Sequence, residues 1–250
     1  MKSGSESRSD QAVDELVQRE HPGYYPGYST LAQQNYWDEA TRKAVNDRVT
    51  SPPPIRFFAP DEAALLQAVI DRILPQHDRT PERRIPLLPA IDERLYKNEL
   101  NGFRYEDMPP DRDAYHLGLR AINEMAEERF HMPFLKLSTL PQEVILKSLH
   151  DGAPDPAVRI WKHMPVRRFW SMLLEDSVNV YYAHPWAWDE IGFGGPAYPR
   201  GYMRLENGLP EPWETDEVRY IWTAPADTLS DLDLSEQTRS ANSSLLEGIR

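Results

Sequence analysis

Apolar residues recur at helical spacing in the middle of the chain. After Pro60, the apolar positions that fall three or four residues apart are Leu65, Leu66, Val69, Ile70, Ile73 and Leu74. This spacing places them on one stripe of an α-helix, which is the pattern of a helix packed against a core. Pro60, Asp61 and Glu62 suit a first helical turn, and Pro75 predicts where the helix ends.

The same pattern predicts more helices along the chain. Long helices are expected at residues 89–100, 111–130, 139–150 and 165–182, and shorter ones at residues 37–49 and 158–164. Asn101-Gly102 is a typical helix end, and the segment Thr139 to Gln142 has the pattern of a capping box. Strand-like alternation is scarce, so the sequence predicts a mainly α protein with one compact multi-helix domain.

Changes in composition divide the chain into four regions. Residues 1–55 are expected to form a long, extended and partly disordered N-terminal arm that ends in a stiff proline spacer. Residues 56–184 carry the helical core. Residues 185–213 are rich in glycine, proline and tryptophan, and predict a coil after the last core helix, packed on that core or on a partner. Residues 214–250 are acidic and serine-rich, and are expected to be a mobile tail.

The charge of the chain limits its partners. It carries 28 Lys and Arg residues against 40 Asp and Glu residues, which gives a net charge of -12. Such a field repels the phosphates of nucleic acids and of anionic membrane surfaces, so neither is an expected partner. The sequence also lacks an apolar run of about 18 residues, and no membrane span is expected.

The chain contains no cysteine. Disulfides, Cys-zinc sites, iron–sulfur ligation and a cysteine nucleophile are therefore excluded. Residues 1–10 are serine-rich and charged, and no apolar segment follows them, so no export signal is expected. The expected location is cytoplasmic, or periplasmic if the chain is exported together with a partner.

Familiar motifs for cofactor and nucleophile chemistry are missing from the sequence. It has no Gly-x-Ser-x-Gly elbow, no P-loop, and no Gly-x-Gly-x-x-Gly after a strand. Gly192-Phe193-Gly194-Gly195 is glycine-rich, but it follows a predicted helix and precedes a proline, which does not suit a phosphate-binding loop. A Ser-His-Asp triad and a metal site assembled only in three dimensions both stay open.

One short motif matches part of a di-iron site. Glu128 and His131 have the Glu-x-x-His spacing of helical di-iron proteins, which need two such motifs on different helices. The nearest analogue, Asp113 with His116, lies on the same predicted helix. The favoured interpretation is therefore a histidine at the helix end and a solvated glutamate. A metal-dependent oxidase that uses Glu128 and His131 is the alternative enzyme hypothesis.

Residues 184–202 combine large aromatic side chains with glycine and proline, without a helical period. Trp, Tyr and Arg dominate protein interfaces, glycine permits close backbone approach, and proline lowers the entropy lost on docking. Buried aromatic side chains also serve a domain's own core. The segment therefore predicts either a preformed docking loop or a cover over the core, and the two interpretations weigh about equally.

If the segment docks a partner, the candidate interface residues come from this loop and from the N-terminal arm. They are His184, Pro185, Trp186, Trp188, Gly192, Phe193, Gly194, Gly195 and Tyr198 in the loop, and Tyr24, Tyr25 and Tyr28 in the arm. As hot spots, Trp186→Ala or Trp188→Ala would each weaken binding by roughly 2–4 kcal/mol. His184 is expected to cap the carbonyls of the preceding helix.

The stretch from His184 to Pro199, which includes Glu-Ile-Gly-Phe-Gly-Gly-Pro-Ala-Tyr-Pro, resembles the signature of the gluconate 2-dehydrogenase subunit 3 family. Further segments resemble the family in the same order, at residues 57–62, 73–75, 108–111, 134–140 and 168–170. The resemblance covers roughly residues 57–213, the majority of the chain.

The resemblance implies a small helical subunit paired with a large FAD-binding flavoprotein of the glucose–methanol–choline oxidoreductase type. That partner oxidises a sugar, a sugar acid or an alcohol, and a cytochrome c or similar carrier often takes the electrons. The resemblance assigns no catalytic, cofactor-binding or metal-binding residue to the small subunit. The expected function is a non-catalytic subunit that stabilises the large one or aids its maturation. The alternatives are an independent metal-dependent oxidoreductase and an unrelated protein–protein adaptor.

Overall fold

The computed structural model of the chain describes residues 29–100, 102 and 105–196. The α-helices in this part are α1 (Glu39–Thr50), α2 (Pro60–Ile73), α3 (Leu87–Tyr96), α4 (Asp111–Phe130), α5 (Thr139–His150), α6 (Val166–Tyr182) and α7 (Pro185–Ile191). Short 3-10 helices lie at Thr30–Tyr36, Pro81–Arg83, Phe134–Lys136 and Arg159–Lys162. The described residues contain no strand, which confirms the prediction of a mainly α protein. None of their helices is long and apolar enough to cross a bilayer.

A continuous hydrophobic core lies between α2, α3, α4, α5 and α6. The predicted stripe of α2 is buried in it through Leu65, Leu66, Val69 and Ile70. The ring of Phe169 on α6 lies against Gly118 of α4, where an added Cβ would collide with the ring. The close approach of the Phe169 ring to α4 therefore requires a glycine at position 118.

Helix α3 occupies Leu87–Tyr96, whereas the sequence predicted residues 89–100. The helix begins before Pro89 because proline is tolerated within a first helical turn. It ends earlier because Asn98 adopts a left-handed conformation with φ of 56°. Asparagine tolerates this conformation, so Asn98 terminates the helix in place of the predicted Gly102.

The beginning of α5 differs from the predicted capping box. Its N-cap residue is Ser138, whose side chain makes no capping hydrogen bond. The side-chain amide of Gln142 donates instead to the carbonyl of Phe134 (3.1 Å). The predicted helix bounds are nevertheless correct, because the apolar stripe that defines the helix does not depend on its cap.

The described part of the N-terminal arm contains two helical segments, and its residues 51–55 are not helical. A 3-10 helix at Thr30–Tyr36 precedes α1, which confirms the short helix predicted near residues 37–49. Residues 21–28, the part of the arm that is predicted to be extended, lie outside the described residues. The short helix predicted at residues 158–164 is a single 3-10 turn.

A buried carboxylate fixes the segment that leads into α2. Asp92 on α3 accepts hydrogen bonds from the backbone N–H groups of Arg56, Phe57 and Phe58 at 2.7, 2.9 and 3.0 Å. The Asp92 side chain is fully buried, so these donors replace the water that a carboxylate requires. The entry to α2 is thereby held against α3.

A second polar cluster joins α3, α4 and α6. The Asp176 carboxylate accepts from the Tyr115 hydroxyl (2.6 Å) and from the Arg94 guanidinium (2.5 Å). Arg94 also donates to Asp111 (2.7 Å). Burial raises the pKa of the Tyr115 phenol well above its usual value, which keeps the hydroxyl protonated as a donor.

Candidate functional site

The aromatic segment after α6 begins as a helix and not as the coil that the sequence predicted. Helix α7 spans Pro185–Ile191, with His184 as its N-cap and proline at its first position. Gly192 ends it in the left-handed conformation, with φ of 66°. Proline at the start and glycine after the end are the usual signals of a helix. Seven residues are too few to show a helical period, so these two signals alone could have predicted it.

His184 fixes the start of α7 through both ring nitrogens. Its Nδ1 accepts a hydrogen bond from the backbone N–H of Trp186 (3.2 Å), and its Nε2 donates to the carbonyl of Arg48 (3.0 Å). These partners require a neutral ring with its proton on Nε2. The side chain therefore caps the helix that follows it, and the expectation that it caps the preceding helix is wrong.

The surroundings of His184 favour the uncharged ring. Burial, together with the nearby cations of Arg79, Arg48 and Arg83, lowers the pKa of His184 to about 4. The hydrogen bond to the Arg48 carbonyl favours the protonated ring but is the smaller effect. At neutral pH the imidazole therefore acts as a structural hydrogen-bonding group.

The two tryptophans of α7 lie inside this chain. Trp186 is 9% exposed and packs on the main core, while Trp188 is 6% exposed. Trp188 forms a small second cluster with Trp37 and Val45, and its indole N–H donates to the carbonyl of Tyr182 (2.6 Å). Both side chains thus match the alternative in which the segment covers the domain's own core.

A buried arginine holds the far side of α7. Arg79, in the loop between α2 and α3, is 1% exposed and forms an ion pair with Glu190. Its guanidinium also donates to the carbonyl of Trp186 (3.3 Å). The Tyr181 hydroxyl donates to both oxygens of Glu190, at 3.0 and 2.9 Å. Burial raises the pKa of both Glu190 and Tyr181, and Arg79 opposes that shift at each group.

Asp189 connects α7 to the N-terminal part of the chain. Its Oδ1 accepts a hydrogen bond from the backbone N–H of Thr30 (2.6 Å), and its Oδ2 lies 3.7 Å from the Arg83 guanidinium. The Thr30 hydroxyl in turn donates to the carbonyl of Phe193 (2.8 Å). Thr30 and Asp189 are both buried, so these bonds stabilise the contact between the two segments.

The glycine-rich stretch after α7 lies close to the same N-terminal segment. At Gly195 the backbone has φ of 80°, and an added Cβ would lie 2.8 Å from Trp37 Cζ2 and 3.0 Å from Thr30 Cγ2. Only glycine accommodates both the positive φ and this approach. Gly195 therefore allows the backbone after α7 to pack closely against Thr30 and Trp37.

The structure places the predicted site residues in two groups. His184, Pro185, Trp186, Trp188 and Gly195 are buried in this chain. By contrast, Phe193 is 47% exposed, and Gly192 and Gly194 are partly exposed beside it. The remaining predicted residues, Tyr24, Tyr25, Tyr28 and Tyr198, lie outside the described residues.

Sequence reasoning missed the polar residues that hold α7 in place. The pairs Arg79–Glu190 and Thr30–Asp189 are separated by 111 and 159 positions in the sequence. No spacing rule connects residues that far apart, because such pairs meet only after the chain has folded. The sequence does show two acidic residues, at 189–190, next to two tryptophans. It does not indicate which residues bind them.

In the part of the chain that the structure describes, no further metal ligands lie beside Glu128 and His131. Glu128 and His131 are both exposed at the end of α4, where His131 adopts a left-handed conformation with φ of 56°. In residues 29–100, 102 and 105–196, no group of three His, Cys, Asp or Glu residues could hold a metal ion. The interpretation of His131 as a helix-end residue describes its position correctly.

A cleft of about 490 Å³ lies beside α2 and α4 and contains a carboxylate–imidazole pair. His116 Nδ1 and Glu62 Oε1 are 2.6 Å apart, and Glu62 Oε2 accepts from the backbone N–H of Ala59 (3.1 Å). The His116 ring also packs on Phe57, with 4.8 Å between ring centroids. These contacts join the start of α2 to α4, so both side chains have structural partners.

The described residues therefore form a helical domain in which residues 184–189 and Gly195 of the aromatic segment are buried against the rest of the fold. The family model described as gluconate 2-dehydrogenase subunit 3 matches residues 60–195, more than half of the 250 residues, and the chain belongs to this family. This confirms the resemblance drawn from the sequence motifs. The family implies a subunit that forms a complex with other dehydrogenase subunits. No curated protein and no solved structure matches the chain.

Proposed function

We propose that this chain is a non-catalytic small subunit that binds and stabilises, or helps to mature, the large subunit of an FAD-dependent sugar or alcohol dehydrogenase. In this proposal the flavin and the active site belong to the large subunit, which is of the glucose–methanol–choline oxidoreductase type. This chain binds no cofactor of its own. A cytochrome c or another carrier in the same complex accepts the electrons.

The observation that carries the proposal is the extent of the family match, from residue 60 to residue 195. The match covers the helical core and also reaches through α7 to Gly195. The aromatic, glycine-rich segment is thus part of the unit that defines the family of dehydrogenase subunits. Its fixed position on the core supports a role in presenting a defined surface to another subunit, since a preformed surface loses less entropy on binding.

Two other functions have less support than this one. An independent metal-dependent oxidoreductase would need ligands beside Glu128 and His131, and the described residues bring none together there. An adaptor unrelated to flavoproteins would need a different class of partner. No contact in the described residues favours either function, whereas membership of a dehydrogenase subunit family supports the proposal.

The first experiment is affinity purification of the tagged chain from its native host. The purified material should contain a large polypeptide in fixed stoichiometry and show a flavin absorbance spectrum. It should also reduce an electron-accepting dye when a sugar, sugar acid or alcohol is supplied. The tag expressed alone is the control. A folded, colourless chain that elutes alone, or one that carries stoichiometric metal and its own activity, contradicts the proposal.

A second experiment tests stabilisation directly. The large subunit identified by purification is expressed with and without this chain, and its soluble yield, flavin content and melting temperature are compared. A partner that binds only the folded state raises the apparent stability in proportion to the logarithm of its concentration. Equal yield, flavin content and melting temperature in both preparations would rule out stabilisation and maturation as the role of this chain.

A further inference from the structure

The first described residues of the chain pack mainly on helix α7. Both the 3-10 helix at Thr30–Tyr36 and helix α1 have α7 as their main neighbour among the helices. Residues 29–50 are called the N-terminal strap below. The apolar contact of the strap with α7 is the small second cluster, in which Trp37 and Val45 pack with Trp188. This cluster is separate from the main core between α2 and α6, so the strap is not built into that core.

The strap buries few side chains for its length. Of residues 29–50, only Thr30, Trp37 and Val45 are buried, whereas the shorter helix α2 buries four residues. Val49 packs against the main core as well, but it is only partly buried. Burial of apolar surface is the main force that holds a segment to a fold. A segment with few buried side chains therefore opens at a smaller cost in free energy than the core does.

Hydrogen bonds hold the strap at both of its ends. At the first end, the N–H and the hydroxyl of Thr30 donate to acceptors on α7 and just after it, as described above. At the other end, the Arg48 guanidinium donates to the carbonyl of Ala183 (2.6 Å), and the Arg48 carbonyl accepts from His184 (3.0 Å). The bond between Arg48 and Ala183 is exposed, so water can replace it at little cost when the strap moves away.

The closed position of the strap also leaves a buried donor without a partner. The indole N–H of Trp37 is buried and has no hydrogen-bond acceptor among the described residues. Such a group loses its hydrogen bond to water and gains none in exchange, which makes the closed position less favourable. Opening of the strap returns this N–H to water and removes that cost.

Residues 51–55 link the strap to the core without packing tightly on it. They are not helical, and all of them except Pro53 are exposed. A cleft of about 510 Å³ is lined by Pro52 and Pro53 and by residues of α3 and α6. The linker therefore does not fill the space between itself and these two helices. Few contacts oppose a movement of the strap about this linker.

The core end of the linker is fixed by the Asp92 carboxylate. This side chain is fully buried on α3 and accepts the backbone N–H groups of residues 56–58. Loss of these donors would leave a buried carboxylate without hydrogen bonds, which is costly. The start of α2 is therefore expected to stay in place when the strap moves.

The strap and the surface that it covers differ in their relation to the family. The family match starts after the linker, at residue 60, and it includes all of α7. The strap thus lies outside the part of the chain that defines the family, whereas Trp188 and Asp189, which it covers, lie within that part.

We infer that the N-terminal strap opens from α7 as one unit while the core of α2 to α6 stays folded. The open form uncovers the side chain of Trp188 and the carboxylate of Asp189, which the strap covers in the closed form. The strap thereby controls access to this part of the family unit. Its opening needs no partner, so it can be measured on the free chain and does not rest on the proposed function.

Single cysteines can report this opening, because the chain has no cysteine of its own. Val45→Cys places a thiol in the cluster under the strap, and Val69→Cys places one in the main core. Both valines are almost fully buried, so the two variants are matched in substitution and in burial. Each full-length variant is treated with a thiol reagent under native conditions. Its labelling rate is then divided by the rate of the same variant unfolded in urea.

The thiol at position 45 should be labelled at least about 100 times faster than the thiol at position 69, because local opening costs less than global unfolding. The urea dependence at position 45 should have roughly half the slope at position 69 or less, since this slope scales with the surface that opening exposes. Equal rates with the same urea dependence would show one cooperative unit and overturn the inference. Labelling at position 45 as fast as in the unfolded chain would show that the strap is not closed, and equally overturns it.

A second substitution tests whether the contact with α7 holds the strap closed. Added to the Val45→Cys chain, Thr30→Val keeps the shape of the side chain but removes the hydroxyl bond to the Phe193 carbonyl. Labelling at position 45 should then rise about three- to tenfold. Thr50→Val is the matched control, because the Thr50 hydroxyl donates to the Asn46 carbonyl within α1. It should change the rate by less than about twofold. An equal effect of the two substitutions contradicts the inference.

Hydrogen exchange of the wild-type chain covers the case in which a cysteine variant does not fold. Exchange under native conditions is followed by mass spectrometry of peptic fragments from α1 and from α4. The amides of α1 should exchange at least about 100 times faster than the most protected amides of α4. Equal protection of the two helices would show that the strap opens only when the whole chain unfolds, which contradicts the inference.

Discussion

The backbone N–H of Thr30 donates a 2.6 Å hydrogen bond to the carboxylate of Asp189, across 159 positions of the sequence. This bond joins the N-terminal segment to helix α7, and both residues are buried. Asp189 also faces the guanidinium of Arg83 at 3.7 Å. A single carboxylate therefore connects the beginning of the described chain, the loop after α2 and the last helix.

Removal of this carboxylate should destabilise the chain. Asp189→Ala leaves the Thr30 N–H without its buried acceptor and removes the carboxylate that lies near Arg83, so the free energy of unfolding should fall by about 2–3 kcal/mol. Asp189→Asn keeps an acceptor but loses the charge, and should lose about half as much. Urea denaturation measures both changes. Glu175→Ala, on an exposed position of α6, is the control and should change stability by less than about 0.5 kcal/mol.

Gly195 should tolerate no larger side chain. Gly195→Ala puts a Cβ 2.8 Å from Trp37 Cζ2 at a positive φ, so backbone strain and a steric collision both oppose it. The expected loss is about 2–3 kcal/mol of unfolding free energy, measured by thermal or urea denaturation. Gly102→Ala isolates the backbone contribution, since φ there is 89° and nothing lies within 4 Å of the added Cβ. Equal losses at the two glycines would show that the collision with Trp37 is relieved at little cost.

Trp188 should stabilise the free chain, independently of any partner. Trp188→Ala removes a buried side chain and its hydrogen bond to the Tyr182 carbonyl, and should lower the free energy of unfolding by about 3–5 kcal/mol. Trp188→Phe fills much of the space but loses that bond, and should cost about 1–2 kcal/mol. Denaturation of the free chain, without any partner, is the deciding measurement. Full stability of Trp188→Ala in the free chain would show that this side chain is not a part of its core.

The stability of the chain should depend on His184 in mildly acidic solution. Burial lowers the pKa of His184 to about 4, below the usual value of 6.5, so the unfolded state binds this proton first. The contribution of His184 to the free energy of unfolding is complete above pH 6.5 and decreases as the pH falls toward 4. The total decrease is about 3 kcal/mol. Burial raises the pKa of Glu190, so its contribution changes in the opposite direction.

A matched variant separates His184 from the other titrating groups. In His184→Asn the side chain still offers an acceptor to the Trp186 N–H, but it does not titrate. The stability advantage of the wild-type chain over this variant should therefore shrink between about pH 7 and pH 5, as followed by urea denaturation. His163→Gln, on an exposed residue, should keep the pH dependence of the wild-type chain. An advantage that does not change with pH would show that the ring is not held in its neutral form.

Local sequence patterns were sufficient for the long helices. The positions of α2, α4, α5 and α6 agree with the predicted ranges to within one or two residues at each end. Each of these helices buries one apolar stripe, and a stripe is visible in the sequence because residues three and four apart share a helix face. The family was also visible, because its motifs are contiguous stretches of the chain.

Features that depend on single residues were predicted less well. Asn98 ends α3 by adopting a left-handed conformation. Most asparagines do not adopt this conformation, so the residue type alone does not predict where the helix ends. Helix α7 was predicted as coil because tryptophan, proline and glycine dominate its composition, whereas His184 and Gly192 define its ends. A short helix of this kind is stabilised by its contacts, since an isolated helix of seven residues is unstable in water.

By itself, the sequence determined the helical class, the positions of the long helices and the family. It also indicated that the aromatic segment at residues 184–202 packs on the core or on a partner. The tertiary structure alone decided which aromatic residues of that segment are buried and which are exposed. Trp188 lies inside the chain and Phe193 at its surface because Thr30, Arg79 and Arg83, distant in sequence, hold α7 in one orientation. Such long-range contacts form only when the chain folds, and no local pattern encodes which distant residue completes them.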